Sequence, residues 1–214
     1  MIPFARLDPE ARPLYRPDMT RQEYRTRLAS GRVGIAGAGG LGSNCAMALA
    51  RAGLGTLVIA DFDTVSEANL DRQAFFRDQI GMPKVAALAA NIGRIDPGIR
   101  VITHGLRLDA DSIVALFGEC DAIVEAFDVA DAKAMLLETV SSRLPDMPFV
   151  CASGIAGFGA FERIHIHRSG MMRIVGDLES EVTESIPAMA PRVIAIASIQ
   201  ADLILEFLLN RLPE

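Results

Sequence analysis

The sequence predicts an α/β fold in which a mostly parallel sheet is covered by helices on both faces. Three observations carry this. Short apolar runs alternate with helical stretches from residue 33 to residue 152. Those runs are solid rather than alternating, as expected of strands buried on both faces. The pattern then changes. Residues 161–167 alternate and can pair with 171–175 across Arg168-Ser169-Gly170, which predicts an antiparallel hairpin, and a long apolar helix over 193–209 follows to pack on the sheet.

Each element has a local cause. Residues 1–19 hold Pro3, Pro9, Pro13 and Pro17 with no period, and read as an arm. Thr20 with Glu23 three residues later has capping-box spacing, so 20–29 is a short helix that Gly31 ends. A strand over 33–36 leads into a helix over 40–52, rich in small residues and closed by Gly53. A second strand spans 57–60. Pro83 suits the first turn of a helix over 83–95, where its missing N–H costs nothing. Strands over 99–103, 122–126 and 149–152 then alternate with helices over 109–117 and 129–143. Residues 177–187 form a polar, acidic crossover. The chain divides into an arm with its short helix (1–30) and one larger unit (31–214), in which 151–214 supplies the hairpin, crossover and last helix.

Bulk properties narrow the function classes. A length of 214 residues suits one domain, and 50% apolar with 22% charged residues is ordinary for a packed core. A net charge of −6 argues against a broad basic surface for nucleic acid. Cys45, Cys120 and Cys151 form no C-x-x-C pair, so neither a zinc ribbon nor a disulfide framework is expected. Residues 1–16 lack the apolar segment of a signal peptide, and the apolar stretches are interrupted before membrane-spanning length. A cytoplasmic protein with no membrane role is the expectation.

Gly37-x-Gly39-x-x-Gly42 joins the first strand to its helix. Glycine there closes the turn, admits a phosphate to the backbone and lets the helix lie tight on the strand. The helix start, at Gly40, offers free N–H groups and partial positive charge to an anion. Asp61 ends the second strand, where a carboxylate can accept from ribose hydroxyls. The arrangement is Rossmann-like and points to an adenine nucleotide without saying which.

The loop that follows decides more. It reads Asp61-Phe62-Asp63-Thr64-Val65-Ser66-Glu67-Ala68-Asn69-Leu70-Asp71-Arg72-Gln73, and Ile80-Gly81-Met82-Pro83-Lys84 puts a lysine on a first helical turn. Lys84 and Lys133 are the only lysines among 21 lysines and arginines. An arginine fork and a mobile ammonium above a glycine turn suit a triphosphate. Asp128 follows the fourth strand at the same edge, and a carboxylate beside phosphates is explained by Mg²⁺. No nicotinamide pocket is marked.

These residues, with Ser30 to Val33, Gly81 to Lys84 and Arg94-Ile95-Asp96-Pro97, resemble the ThiF/MoeB adenylyltransferases, bacterial relatives of ubiquitin-activating enzymes. The resemblance covers roughly residues 30–155, and the N-L-x-R-Q element at Asn69 to Gln73 is its most specific part. It implies an ATP-binding adenylation domain over 31–214 that uses ATP and Mg²⁺ to adenylate the C-terminal Gly-Gly carboxylate of a small ubiquitin-like sulfur carrier, most similar to the short ThiF type of thiamine biosynthesis. A ThiS-like carrier and a homodimer are the implied partners. Arg72, Lys84 and Asp128 are then the catalytic set, with Asp128 the metal ligand. Gly37, Gly39, Gly40, Gly42, Asp61, Asp63, Asn69, Arg72, Gln73 and Lys84 hold the nucleotide, Asp61 at the ribose and Asn69 and Gln73 either bracing the loop or touching phosphate.

The sequence also departs from that family. The two C-x-x-C pairs of its longer members are absent, which predicts no structural zinc, and no cysteine follows Cys151. Cys151 itself sits in an expected strand and reads as a small buried residue. Val129 and Lys133 stand where the family has asparagine and arginine, so Lys133 either replaces that arginine or faces solvent. Arg12, Arg16, Arg21 and Arg25 are candidates for the arginine that the family sends into a partner subunit's site. His165 and His167 share a strand face without further metal ligands. Met171, Met172 and Met189 read as packing or as a partner groove. Asp177, Glu179, Glu181 and Glu184 read as a solvated loop or a carrier-docking flap. Two other functions compete with adenylation: an ATP-binding adaptor without catalysis, and an NAD-dependent oxidoreductase.

Overall fold

The computed structural model describes residues 19–210; the arm before them, with Arg12 and Arg16, lies outside the described residues. Thr20 opens the first helix through a capping box: the Glu23 N–H donates to Thr20 Oγ1 at 3.3 Å, and the Thr20 N–H donates to Glu23 Oε2 at 2.6 Å. That helix, α1 (Arg21–Ser30), hands over at Gly31 to β1 (Arg32–Ala36). The chain continues as α2 (Gly40–Ala52), β2 (Thr56–Ala60), α3 (Lys84–Gly93), β3 (Arg100–His104), α4 (Ala110–Phe117), β4 (Ala122–Glu125), α5 (Ala130–Arg143), β5 (Phe149–Ala152), β6 (His165–Ser169), β7 (Met172–Gly176) and α6 (Ala190–Asn210). Expected and observed bounds differ by a residue or two at most ends. Pro83 is the N-cap of α3 rather than part of it.

The seven strands form one sheet in the order β3-β2-β1-β4-β5-β7-β6. All neighbours are parallel except β6 and β7. The hairpin is therefore not a separate layer: β7 runs beside β5 and extends the sheet. Its register also differs from expectation. Residues Phe161–Arg163 make a 3₁₀ turn, the first strand starts at His165, and Ser169 pairs with Met172. The connection is Gly170-Met171, with Gly170 at φ 54°. Arg168 and Ser169 stay in the ladder, and both guanidinium Nη atoms of Arg168 reach the Glu206 carboxylate on α6.

Both faces of the central strands β1, β2 and β4 are buried, which explains their lack of polar alternation, while the edge strand β3 is only partly covered. Ile35, Leu57, Ile59 and Val124 face a core with α2, α3 and α6; Ala36, Val58, Ala60 and Ile123 face a second core with α4 and α5. Gly34 leaves room for a ring, since a Cβ there would lie 2.6 Å from Cδ1 of the fully buried Phe117. α6, at 21 residues and a mean hydropathy of 1.7, has the length and apolarity of a membrane span, beyond the interrupted stretches the sequence suggested. In this fold its Val193, Ile196, Ala197, Ala201 and Ile204 are core residues.

Chain direction across the sheet reverses between β1 and β4. β2 and β3 lie on one side of β1, while β4 and β5 lie on the other. Ligands of open α/β sheets bind at such a switch point, beyond the carboxyl ends of the strands. The glycine turn after β1 and Asp128 after β4 flank that crevice.

Candidate active site

The glycine turn is shaped by backbone crowding. Gly37 adopts φ 100°, and a Cβ there would lie 2.9 Å from the Ala126 carbonyl oxygen. A Cβ on Gly42 would lie 1.9 Å from the Gly37 carbonyl oxygen, so glycine lets α2 close onto the turn. Gly39 is the N-cap of α2, and its Cβ position is open apart from Gln73 Nε2 at 3.9 Å. The free N–H groups of the first turn of α2 face this opening.

Asp61 ties β2 to that turn. Its Oδ2 accepts from the Ala38 N–H at 2.6 Å and its Oδ1 from the Asp63 N–H at 2.8 Å. Each oxygen keeps a second lone pair for a ribose hydroxyl. Asp63 in turn holds Lys84: Lys84 Nζ donates to Asp63 Oδ2 at 2.8 Å, and the Lys84 N–H donates to the Asp63 carbonyl at 2.9 Å. The lysine side chain is 8% exposed while the aspartate is 47% exposed, so a buried ammonium is held by a carboxylate that reaches the open edge. Phe62 lies between these acids with the Arg107 guanidinium 4.1 Å above its ring.

Arg72 reaches the other side of the turn. Its Cγ and Cδ lie 3.8 and 4.0 Å from where a Gly40 Cβ would be, and its Nη1 donates to Asp71 at 2.7 Å. Two residues that the sequence reading did not single out place it. Asn44 Nδ2 donates to the carbonyls of Gly40 (2.7 Å) and Arg72 (2.9 Å). Ser43 Oγ donates to the Gly39 carbonyl at 2.6 Å and accepts from the Ala74 N–H at 3.0 Å. Two polar residues in the first turn of an otherwise small and apolar helix were the available signal. Asn69 braces the loop, its Oδ1 accepting from the Ser66 N–H at 2.9 Å. Gln73 lies beside Gly39, and its buried Oε1 has no hydrogen-bond partner.

Thus Gly37 to Gly42, Asp61, Asp63, Arg72, Gln73 and Lys84 gather at one carboxyl edge. Asp128 stands on the β4–α5 turn at the same edge and is exposed. Among the described residues, no group of three or more His, Cys, Asp or Glu could hold a metal alone. A single exposed carboxylate fits Mg²⁺, which is commonly held by one or two carboxylates plus substrate phosphates and water.

Lys133 is half-buried rather than fully solvated. It pairs with Glu125, a buried carboxylate at the end of β4, at 2.8 Å. Burial pushes the Glu125 carboxyl above its ordinary range, and the Lys133 ammonium opposes that shift. Cys151 fits the packing reading: burial pushes its thiol up to about 12. Asp177 departs from the solvated-loop reading. Its side chain is 5% exposed and accepts from Arg192 Nη1 at 3.2 Å, while the same guanidinium also donates to the Gly159 carbonyl. Burial alone would raise the Asp177 carboxyl, but the N–H groups of Ser180 and Glu179 with Arg192 hold it below its ordinary range. Glu179, Glu181 and Glu184 are exposed.

The remaining candidates separate. Arg21 and Arg25 sit on α1, which ends at the amino end of β1, opposite the crevice within this chain. His165 and His167 lie 6.4 Å apart on exposed β6. Met171 and Met172 line a hollow of about 230 Å³ with Leu137, Val140 and Leu144 at the amino end of β5. Met189 precedes α6, whose Val193 packs against Gly40, so the three methionines do not form one groove.

Comparison with known proteins agrees with this geometry. The ThiF family is matched over residues 12–214. The probable adenylyltransferase/sulfurtransferase MoeZ of Mycobacterium tuberculosis is 43% identical over 103 residues, 48% of this chain and 26% of that protein. The chain therefore spans only about a quarter of that longer relative. The molybdopterin-synthase adenylyltransferase of Escherichia coli is 32% identical over 181 residues, 81% of this chain and 71% of that protein. Among solved structures, E. coli tRNA N6-threonylcarbamoyladenosine dehydratase, TcdA, in complex with AMP superposes with a TM-score of 0.78 at 22% identity, covering 87% of this chain and 89% of that one. With its glycine turn, its N-L-x-R-Q loop and a match along nearly its whole length, the chain belongs to the ThiF family.

Proposed function

We propose that this protein is an ATP-dependent adenylyltransferase that activates the C-terminal Gly-Gly carboxylate of a small ubiquitin-like sulfur carrier in the cytoplasm. One observation carries the reading. Arg72, over Gly40, and Lys84, linked through Asp63 and Asp61 to Ala38, flank the same helix start at the sheet's switch point. Two cations at that helix start suit the larger charge of a triphosphate.

The chemistry follows from the residues. The carrier carboxylate is ionised at neutral pH and needs no general base. It attacks the α-phosphate, a carboxyl–phosphate bond forms, and pyrophosphate leaves. The chain contributes position and charge. The N–H groups of α2 and the turn cradle the phosphates, Asp61 receives the ribose, and Arg72 and Lys84 neutralise charge on the departing pyrophosphate. Both cations rest on exposed carboxylates, Asp71 (66%) and Asp63 (47%). The Arg72–Asp71 pair, open on both sides, is worth about 0–1 kcal/mol, so a triphosphate can take that cation over. Asp128 would hold Mg²⁺, which supplies charge neutralisation at the phosphate oxygens. Cys151, a protonated thiol at neutral pH, has no part in this step.

The carrier and assembly belong to the same reading. Phe158 (85% exposed), Phe161, Leu178, Val182 and Ile186 leave apolar surface around the crossover, which suits a docking flap for a small protein. A homodimer would bring Arg21 or Arg25 of α1 towards a second site. The thiamine-type carrier is the first candidate. The E. coli relative named molybdopterin-synthase adenylyltransferase favours a molybdopterin-type carrier as the second. Pyrophosphate exchange into ATP, run with each carrier, tests the proposal. Exchange with one carrier and its loss on truncating Gly-Gly is expected. ATP binding without exchange on any such carrier would favour the adaptor instead.

A further inference from the structure

Lys133 is the second of the two lysines. Its ammonium carries three N–H groups and meets three acceptors: Glu125 Oε1 at 2.8 Å, Glu125 Oε2 at 2.9 Å and the Ala152 carbonyl at 3.2 Å. One point charge joins the first turn of α5 to the carboxyl ends of β4 and β5.

Glu125 passes the constraint on. Its Oε1 also accepts from the Phe127 N–H at 2.7 Å, which fixes the turn one residue before Asp128. Its carbonyl accepts from Gln200 Nε2 of α6 at 3.1 Å. Between these two points, the Ala126 N–H donates to the Ala36 carbonyl at 2.9 Å, and the Ala126 carbonyl packs against Gly37. On the far side of Asp128, the Lys133 N–H donates to the Val129 carbonyl at 3.1 Å. Asp128 is itself exposed, yet the paired residues Glu125 and Lys133 stand on either side of it, Glu125 holding the Phe127 N–H and Lys133 starting the α5 ladder at Val129.

We propose that Lys133 and Glu125 are positioning residues for Asp128, holding its carboxylate at the height of the glycine turn where a divalent cation on ATP must be met. The inference rests on the reading of Asp128 as the metal ligand. The pair acts without touching nucleotide: it sets the β4–α5 turn, and the turn aims the carboxylate.

The test uses the full chain with a non-hydrolysable ATP analogue and Mn²⁺ as the probe, with free Mn²⁺ followed by electron paramagnetic resonance. Asp128→Asn sets the scale for losing the ligand. The double variant Glu125→Gln/Lys133→Met removes both charges at similar volume and leaves Asp128 in place. Its Mn²⁺ affinity in the presence of nucleotide should fall at least tenfold, the usual cost of losing an outer-shell partner, while nucleotide affinity without metal stays within about twofold. Unchanged Mn²⁺ affinity in the double variant, alongside a loss in Asp128→Asn, overturns the positioning role alone. Unchanged affinity in Asp128→Asn overturns the metal-ligand reading and the proposal with it. Should the double variant fail to fold, Glu125→Gln alone replaces it: the volume is kept, but the charge and one acceptor are lost. A lower Mn²⁺ affinity is then expected, and parental Mn²⁺ affinity overturns the proposal.

Discussion

Two glycines three residues apart in one turn should answer very differently to the same methyl group. At Gly42 an added Cβ would lie 1.9 Å from the Gly37 carbonyl oxygen, 2.9 Å from its carbon and 3.1 Å from Ala126 Cβ, where real Cβ contacts under 3.0 Å essentially do not occur. The nearest neighbour is backbone of the turn itself, so relief requires α2 to lift from β1. Overpacking of this kind costs about 1–3 kcal/mol. For a domain of this size, 1 kcal/mol moves the melting temperature by roughly 2–4 °C, so Gly42→Ala should melt up to about 12 °C lower. At Gly39 the same methyl meets only Gln73 Nε2 at 3.9 Å. The fold should lose less than about 1 kcal/mol, the cost of alanine at an N-cap. The methyl projects instead into the opening over the first turn of α2. Displacing a phosphate from one charge-assisted hydrogen bond there costs roughly 1.5–3 kcal/mol, or about 10- to 100-fold in ATP affinity. Melting curves and titration calorimetry on both variants separate the two effects. A Gly39→Ala protein with parental ATP affinity, or one that melts as low as Gly42→Ala, would refute the assignment of this turn to phosphate.

Arg72→Ala should cost less than about 1 kcal/mol of stability, because its partner Asp71 is 66% exposed, yet slow pyrophosphate exchange by roughly 10²–10³; parallel melting and exchange assays check both halves. Arg192→Met leaves the Asp177 carboxylate buried and unpaired, at about 3–5 kcal/mol, and should expose residues 178–187 to limited proteolysis. Asp177 has a depressed pKa, so the stability it contributes is present above the ordinary carboxylate pKa of about 4 and is lost as pH falls through the lower folded value. Melting temperatures measured below that pH should fall more steeply in the parent than in Asp177→Asn. Cys151, at about 12, should react with iodoacetamide near pH 8 on the order of a thousandfold more slowly folded than unfolded, read by mass spectrometry.

Features set by neighbours in the chain were legible. Thr20 and Glu23 cap α1 because they stand three residues apart. The solid apolar strands announced two covered faces, and the glycine spacing announced a crowded turn. The loop from Asp61 to Lys84 could be read as one cationic rim, and it does fold back on itself through Asp63 and Lys84. What escaped were pairings whose partners come from different elements. Asp177 looked like one more loop acid, and Arg192 drew no notice, until α6 and the crossover met. The hairpin lies about two residues from its expected register, and the partner of Arg168 there, Glu206, comes from far along the chain.

Sequence alone determined the α/β class, the glycine turn and the identity of the charged groups around it, since periodicity, capping and glycine spacing act over a few residues. Tertiary structure alone decided which partner each charge takes: the buried Lys84 pairs with the exposed Asp63, and the half-buried Lys133 pairs with the buried Glu125. The reason is electrostatic. Burial penalises a lone charge by far more than exposure does, so the role of an ionised side chain is settled by the partner that packing brings to it.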